Sequence, residues 1–262
     1  MQIKVAIVED DIAFGSLLKT LLVLSAAADV VACYLSAREA LDHLPQTKAH
    51  VVLISGARLT HEDLVDNLWV NSAEIAGNGI DDDGNGYVDD VHGINVIAHS
   101  GDPSDDFGHG THVAGIIGAR GNNGKGIAGV AWQVKLMILK FIDNQGVGST
   151  SDAIECLNYA RAKGAHIVNA SWGNSYYEQS LLDTIATLRS SGIIVVAAAG
   201  NDATDNDRIL SYPACYDLDN VVSVAATTRS NTLASFSCFG YRSVALAAPG
   251  ADIISSFTNS DT

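Results

Sequence analysis

A histidine set between glycines, His109 in GHGTHVAGIIGA at 108–119, is the residue best placed to do chemistry. Gly108 and Gly110 permit close backbone approach, and the small residues after them suit a helix packed tightly on a sheet. An imidazole at such a turn, with a pKa near neutrality, can shuttle a proton. His112 lies three residues on, so the two rings could instead share a metal on one helical face, although no third ligand stands at suitable spacing. A histidine simply packed at a helix terminus is the plainer alternative.

A second group of candidates follows strands. In GIIVVAAAGND at 192–202, Asn201 comes directly after a strand end and Gly200. A side-chain amide held there can donate to a developing oxyanion, a contribution of roughly 3–4 kcal/mol in acyl transfer. A third group is acidic. Asp81, Asp83, Asn85 and Asp89 recur at alternating positions around Gly86 in IDDDGNGYVDDVHG, so several oxygen ligands converge on a sharp turn. That pattern fits calcium, with a solvated acidic loop as the alternative; the twelfth position is His92, where an EF-hand carries a bidentate glutamate. Glu9, Asp10 and Asp11 follow the first strand at its carboxyl end, where open α/β sheets place ligands. They suit magnesium, or equally a helix N-terminal turn.

The elements that must position these groups divide into two textures. Residues 1–55 alternate IKVAIV, a helical stretch around AFGSLLKTLLVLSAA, DVVACY, AREALDHL and HVVLIS, which is β-α-β-α-β with short connections. From about Gly56 the chain turns to glycine-rich loops and short apolar strands. The expected fold is α/β throughout, a parallel sheet with helices on both faces, in two parts, 1–56 and 57–262.

Composition bounds the function. With 47% apolar and 17% charged residues the 262-residue chain folds, and a net charge of −15 disfavours nucleic acid and anionic lipid. The longest apolar run, IIVVAAA at 193–199, is far short of the roughly 20 residues that span a bilayer. The acidic ninth position does not fit a secretory signal, so the chain as written is expected to begin inside the cell. Cys33, Cys156, Cys215 and Cys238 form no CxxC pair and read as buried thiols, with Cys215 and Cys238 the one pair worth testing for a bridge.

Taken in order, HGTHVAG, NASWG, VVAAAGN, YPA, VAAT, LASFS and AAPG resemble the subtilisin family of serine endopeptidases over roughly residues 57–262. The resemblance implies that His109 is the general base, that Asn201 lies in the oxyanion hole, and that Ser171, Trp172 and Gly173 form the strand that pairs with an extended peptide or protein substrate. It also brings Asn123 near a calcium-binding loop of the family, whose members are often secreted. VAIVEDD and the alternation after it resemble the first half of a response-regulator receiver domain, in which Glu9 and Asp10 would be the acid pair that helps bind magnesium.

Both resemblances imply an aspartate that this sequence lacks. The receiver's third strand ends here in Ser55. Counting back from THEDL at 60–64, the protease's orienting aspartate falls on Ile54, which cannot accept a hydrogen bond from His109. No Gly-Thr-Ser segment follows AAPG in the 262 residues, so neither the nucleophile nor the orienting acid is expected in the chain as written, and the expectation is an incomplete, inactive peptidase. A non-catalytic protein that binds calcium or peptide, and a receiver-type signalling module, are the alternatives.

Overall fold

The computed structural model describes residues 3–8, 28–34, 50–53 and 55–259. Glu9, Asp10 and Ile54 lie outside them. The chain divides into two compact units, Met1–Thr47 and Lys48–Thr262. In the first, β1 (Ile3–Val8) pairs in parallel with β2 (Ala28–Tyr34).

The second unit is built on a seven-stranded parallel sheet. Its strands are β3 (His50–Leu53), β4 (Gly93–Asn95), β5 (Lys135–Lys140), β6 (Ile167–Ala170), β7 (Ile194–Ala198), β8 (Val221–Thr227) and β9 (Leu246–Pro249). They lie in the order β4-β5-β3-β6-β7-β8-β9. The segment HVVL, which the sequence pattern assigns to the end of the first part, is thus an interior strand of the second, paired with β5 on one side and β6 on the other. Apolar alternation makes a strand, but any parallel sheet accepts it, and the neighbours decide which.

Period-two alternation sorts the core into two layers. Val51, Leu136 and Ile138 point to one face, where Ala114 of α1 (His109–Gly118) packs with Leu64 and Leu68. Val52, Met137 and Leu139 point to the other, against Cys156, Leu157 and Ala160 of α2 (Thr150–Ala162) and Leu181, Ile185 and Leu188 of α3 (Gln179–Ser190). Each fully buried Leu or Ile contributes roughly 1.5–3 kcal/mol. Helices therefore cover both faces, which is why the strands read as near-continuous apolar runs.

The ends of these elements are held by polar side chains. Ser149 accepts the N–H of Asp152 at 3.1 Å to start α2, and Arg161 in its last turn complements the dipole. Asn220 ties α3 to β7 by donating to the carbonyls of Ile185 and Ile193. Among the described residues no helix is long and apolar enough to cross a membrane. Cys156, Cys215 and Cys238 are free thiols, so the one pair the sequence offered for a bridge is not joined.

Candidate active site

The carboxyl ends of three adjacent parallel strands deliver the candidate residues. Ser55 follows β3, Ser171–Gly173 follow β6, and Asn201 follows β7 beyond Gly200. This is the side of an open α/β sheet where ligands bind.

His109 opens α1, with Gly108 ahead of it at φ +102°, a conformation that favours glycine. Gly110 brings the helix against the end of β3. A Cβ at that position would lie 1.9 Å from the Gly56 carbonyl oxygen and 2.7 Å from the Ser55 Cβ, so only glycine lets α1 approach so closely. The approach sets Ser55 Oγ 3.4 Å from His109 Nδ1. Ser55 is buried at 4% exposure, next in sequence to Ile54, the position to which the count from THEDL assigned the orienting acid. Burial holds the His109 imidazole below its ordinary pKa; Asp105 works against that and His112 adds to it. At neutral pH the ring is therefore an unprotonated base. His112 turns away: its Nε2 is 3.2 Å from the Ile253 carbonyl, so α1 does not bring the two rings together as a metal site.

Asn201 is exposed, and Gly200 before it has φ +117°. The Gly200 carbonyl accepts the Cys238 N–H at 2.9 Å, which fixes the turn and leaves the Asn201 side chain facing solvent. Ser171 Oγ accepts from Asn169 Nδ2 at 2.9 Å. Trp172 packs edge-on against Phe141 with 5.3 Å between ring centroids, and its indole nitrogen is buried without a partner. Asn174 pairs by backbone with Tyr212, which holds the segment beside it in place. Gly173 sits 3.0 Å, measured from where a Cβ would be, from the Tyr212 carbonyl oxygen.

The acidic loop is held by bonds from its own carboxylates. Asp81 accepts the N–H groups of Asn85 and Gly86, and Asp89 those of Gly77, Asn78 and Gly79. Their carboxylates close turns. Asn85 donates to Asp90. Among the described acidic residues Asp83 groups with Glu74 and Asp90, whose ligand atoms lie within 4.8 Å of one another. Lys163 is ion-paired with Asp83 and lies 3.9 Å from Asp90. Burial would raise the Asp83 carboxyl, but the bonds from Lys163 and Asn71 outweigh it and hold the group below the usual range. Glu74 Oε2 and Asp83 Oδ1 are buried without a hydrogen-bond partner. Two unshared carboxylate oxygens beside a third acid are a donor set that suits a hard cation. Asn123 instead donates to the buried Asp63 at 2.8 Å.

Two residues of this neighbourhood escaped the sequence reading. Asp105, ahead of the helix, and Thr111 in its first turn are bonded to each other and to α1. An acidic residue just before a glycine and a helical run was the signal that could have marked them.

The model of the family described as Subtilase matches residues 3–262. Subtilisin-like protease 1 of Plasmodium vivax is 41% identical over 189 residues, 70% of this chain and 30% of that protein. Its counterpart in Plasmodium falciparum (isolate 3D7) is 36% identical over 233 residues, 82% and 34% respectively. Minor extracellular protease Epr of Bacillus subtilis (strain 168) is 38% identical over 167 residues, 64% of this chain and 25% of that one. Among solved structures, that of a cold adapted subtilisin-like serine proteinase superposes with a TM-score of 0.61 at 27% identity, covering 80% of this chain and 64% of its own. The chain spans about a third of the length of the curated relatives it matches.

Proposed function

The chain belongs to the subtilase family, and from that premise we propose that residues 48–259 carry the general base, the oxyanion donor and the peptide-pairing strand of a serine endopeptidase. In the proposed reaction His109 Nε2 takes the proton of an attacking hydroxyl, and the Asn201 amide donates to the oxyanion that forms on the scissile carbonyl. His109 then returns the proton to the leaving amine. The substrate is an extended peptide laid along Ser171–Gly173, bound chiefly through its main chain.

The observation that carries this reading is the contact between Ser55 Oγ and His109 Nδ1. It places a hydrogen-bonding group on the nitrogen opposite the one that handles the proton, which fixes the ring for use as a base. A hydroxyl can accept the Nδ1–H but cannot balance the charge of an imidazolium as a carboxylate does. The 262 residues include no Gly-Thr-Ser segment, and we propose that this chain alone binds peptide without turning it over. The test is hydrolysis of casein and of fluorogenic peptides by the purified chain beside His109→Ala. The expected result is no cleavage that depends on His109. Robust turnover abolished by His109→Ala would overturn the inactivity.

Calcium at Glu74, Asp83 and Asp90 is part of the proposal, supported by the two unpartnered carboxylate oxygens. Calcium there would neutralise like charges and brace the loop against α2, where Tyr159 already donates to Asp90. It would do no chemistry on the substrate.

A further inference from the structure

Helix α1 starts without help from its own sequence: Gly108 offers no side chain as a cap, and the first turn holds no acidic residue. The missing partner comes from the preceding loop. One oxygen of Asp105 accepts the N–H of Phe107 at 3.0 Å and of Gly108 at 2.8 Å. The other accepts the Thr111 N–H at 2.9 Å and the Thr111 hydroxyl at 2.5 Å. Four donors on one carboxylate, at the positive end of the dipole, keep it ionised although burial opposes that.

The same group ties the helix to the end of β3. Thr111 Oγ1, while donating to Asp105, accepts the Arg58 N–H at 3.0 Å. The Asp105 N–H donates to the Ala57 carbonyl at 3.2 Å, and the Ala57 N–H to the Pro103 carbonyl at 3.2 Å. Every bond in this set joins the loop before α1, or its first turn, to residues 57–58, immediately beyond Ser55. These bonds hold the first turn of α1 against the end of β3, beside the contact between Ser55 and His109.

The groups around the ring leave few other sources of charge. On α1 the titratable neighbour is His112. The crossing segment 253–257 brings Ser255, Ser256 and Phe257 against α1 and Gly108, none of them charged. The end of β3 brings Ser55. Asp106, next to Asp105 in sequence, is engaged by Lys140 at 2.5 Å.

We infer that Asp105 is the positioning carboxylate of His109: it fixes the ring against Ser55 through the first turn of α1 and supplies the negative charge that an imidazolium needs. This rests on the reading of His109 as the base, and it adds a carboxylate that reaches the histidine through the backbone of its own helix.

The experiment is a titration of the histidine rings of the full chain by long-range proton–nitrogen correlation spectroscopy, with His109 assigned by His109→Gln. Asp105→Asn retains an oxygen acceptor and removes the charge, and the His109 pKa is expected to fall. Asp105→Glu should restore most of it. Asp106→Asn, which removes an equal charge from the adjacent residue, should leave His109 unmoved. An unchanged His109 titration in Asp105→Asn, or an equal fall in Asp106→Asn, would overturn the inference. Amide exchange at 108–112 reads the positioning half: protection should drop in Asp105→Asn, and undiminished protection would count against it. Both readouts are taken on the free ring and backbone without substrate, so a protein that hydrolyses nothing still passes or fails them.

Discussion

Ser55 and His109, 54 residues apart in the chain, meet because Gly110 lets a helix touch the end of an interior strand, with the hydroxyl 3.4 Å from Nδ1. The hydroxyl is buried and the ring is held below its ordinary pKa, chiefly by burial. Replacing Ser55 with aspartate puts a full charge at that nitrogen. An opposite charge within about 4–6 Å moves a pKa by roughly 1–3 units. Ser55→Asp is thus expected to raise the His109 pKa by about one unit or more. Nitrogen chemical shifts of the ring across pH 4–9 measure it directly, and an unshifted titration would mean that Ser55 does not face the ring in solution.

Calcium binding makes a stability prediction. A ligand present at about 100 times its dissociation constant stabilises the folded state by about 2.7 kcal/mol. Added calcium is therefore expected to raise the melting temperature of the chain, and a chelator to lower it. Asp83→Asn should remove most of the difference, while Asp81→Asn should not, because the Asp81 oxygens are taken by the backbone of a turn. Equal melting curves with calcium and with chelator would leave a plain acidic loop.

That contrast shows where sequence reading stopped. The oxygen-bearing side chains of Asp81, Asp83, Asn85 and Asp89 fit a ligand spacing, and the glycine turns between them also offer N–H groups that bond to Asp81 and Asp89. Glu74 and Asp90 reach Asp83 only through the tertiary path of the loop. The count back from THEDL reaches the same neighbourhood: it stops at Ile54, and Ser55, the next residue, meets the His109 ring. By contrast, the α1 motif and the parallel sheet with helices on both faces were legible, because the apolar run that holds Val51 and Val52 and the small residues of GHGTHVAG follow directly from packing.

A pair of histidines at the opposite end of the sheet gives a pH dependence. The His50 N–H donates to His166 Nδ1 at 3.1 Å, and the rings lie 5.2 Å apart, edge to face. Burial, then the charge of His166, lowers the His50 pKa below 6.5. A histidine whose folded pKa is depressed takes up its proton more readily when unfolded. Its contribution is therefore fully present above about pH 6.5 and is lost as pH falls from there towards the folded value. Urea midpoints should decline over that window, and the decline should be smaller in His50→Gln. Identical pH profiles for the two proteins would remove His50 from the account.

Gly173 gives the most direct handle on substrate binding. A Cβ there would lie 3.0 Å from the Tyr212 carbonyl oxygen and 3.3 Å from Ser211 Oγ, so these neighbours must give by a few tenths of an ångström to admit a side chain. The backbone bonds between Asn174 and Tyr212 anchor the residues that follow Gly173. A bulky residue is therefore expected to cost binding far more than folding. Gly173→Val should weaken an extended peptide's affinity at least tenfold, about 1.4 kcal/mol, measured by fluorescence anisotropy, with a melting temperature close to that of the parent. Unchanged affinity would move the peptide away from Ser171–Gly173. A large loss of melting temperature would instead assign the glycine to the fold. The two results separate because one reads peptide binding and the other the stability of the fold.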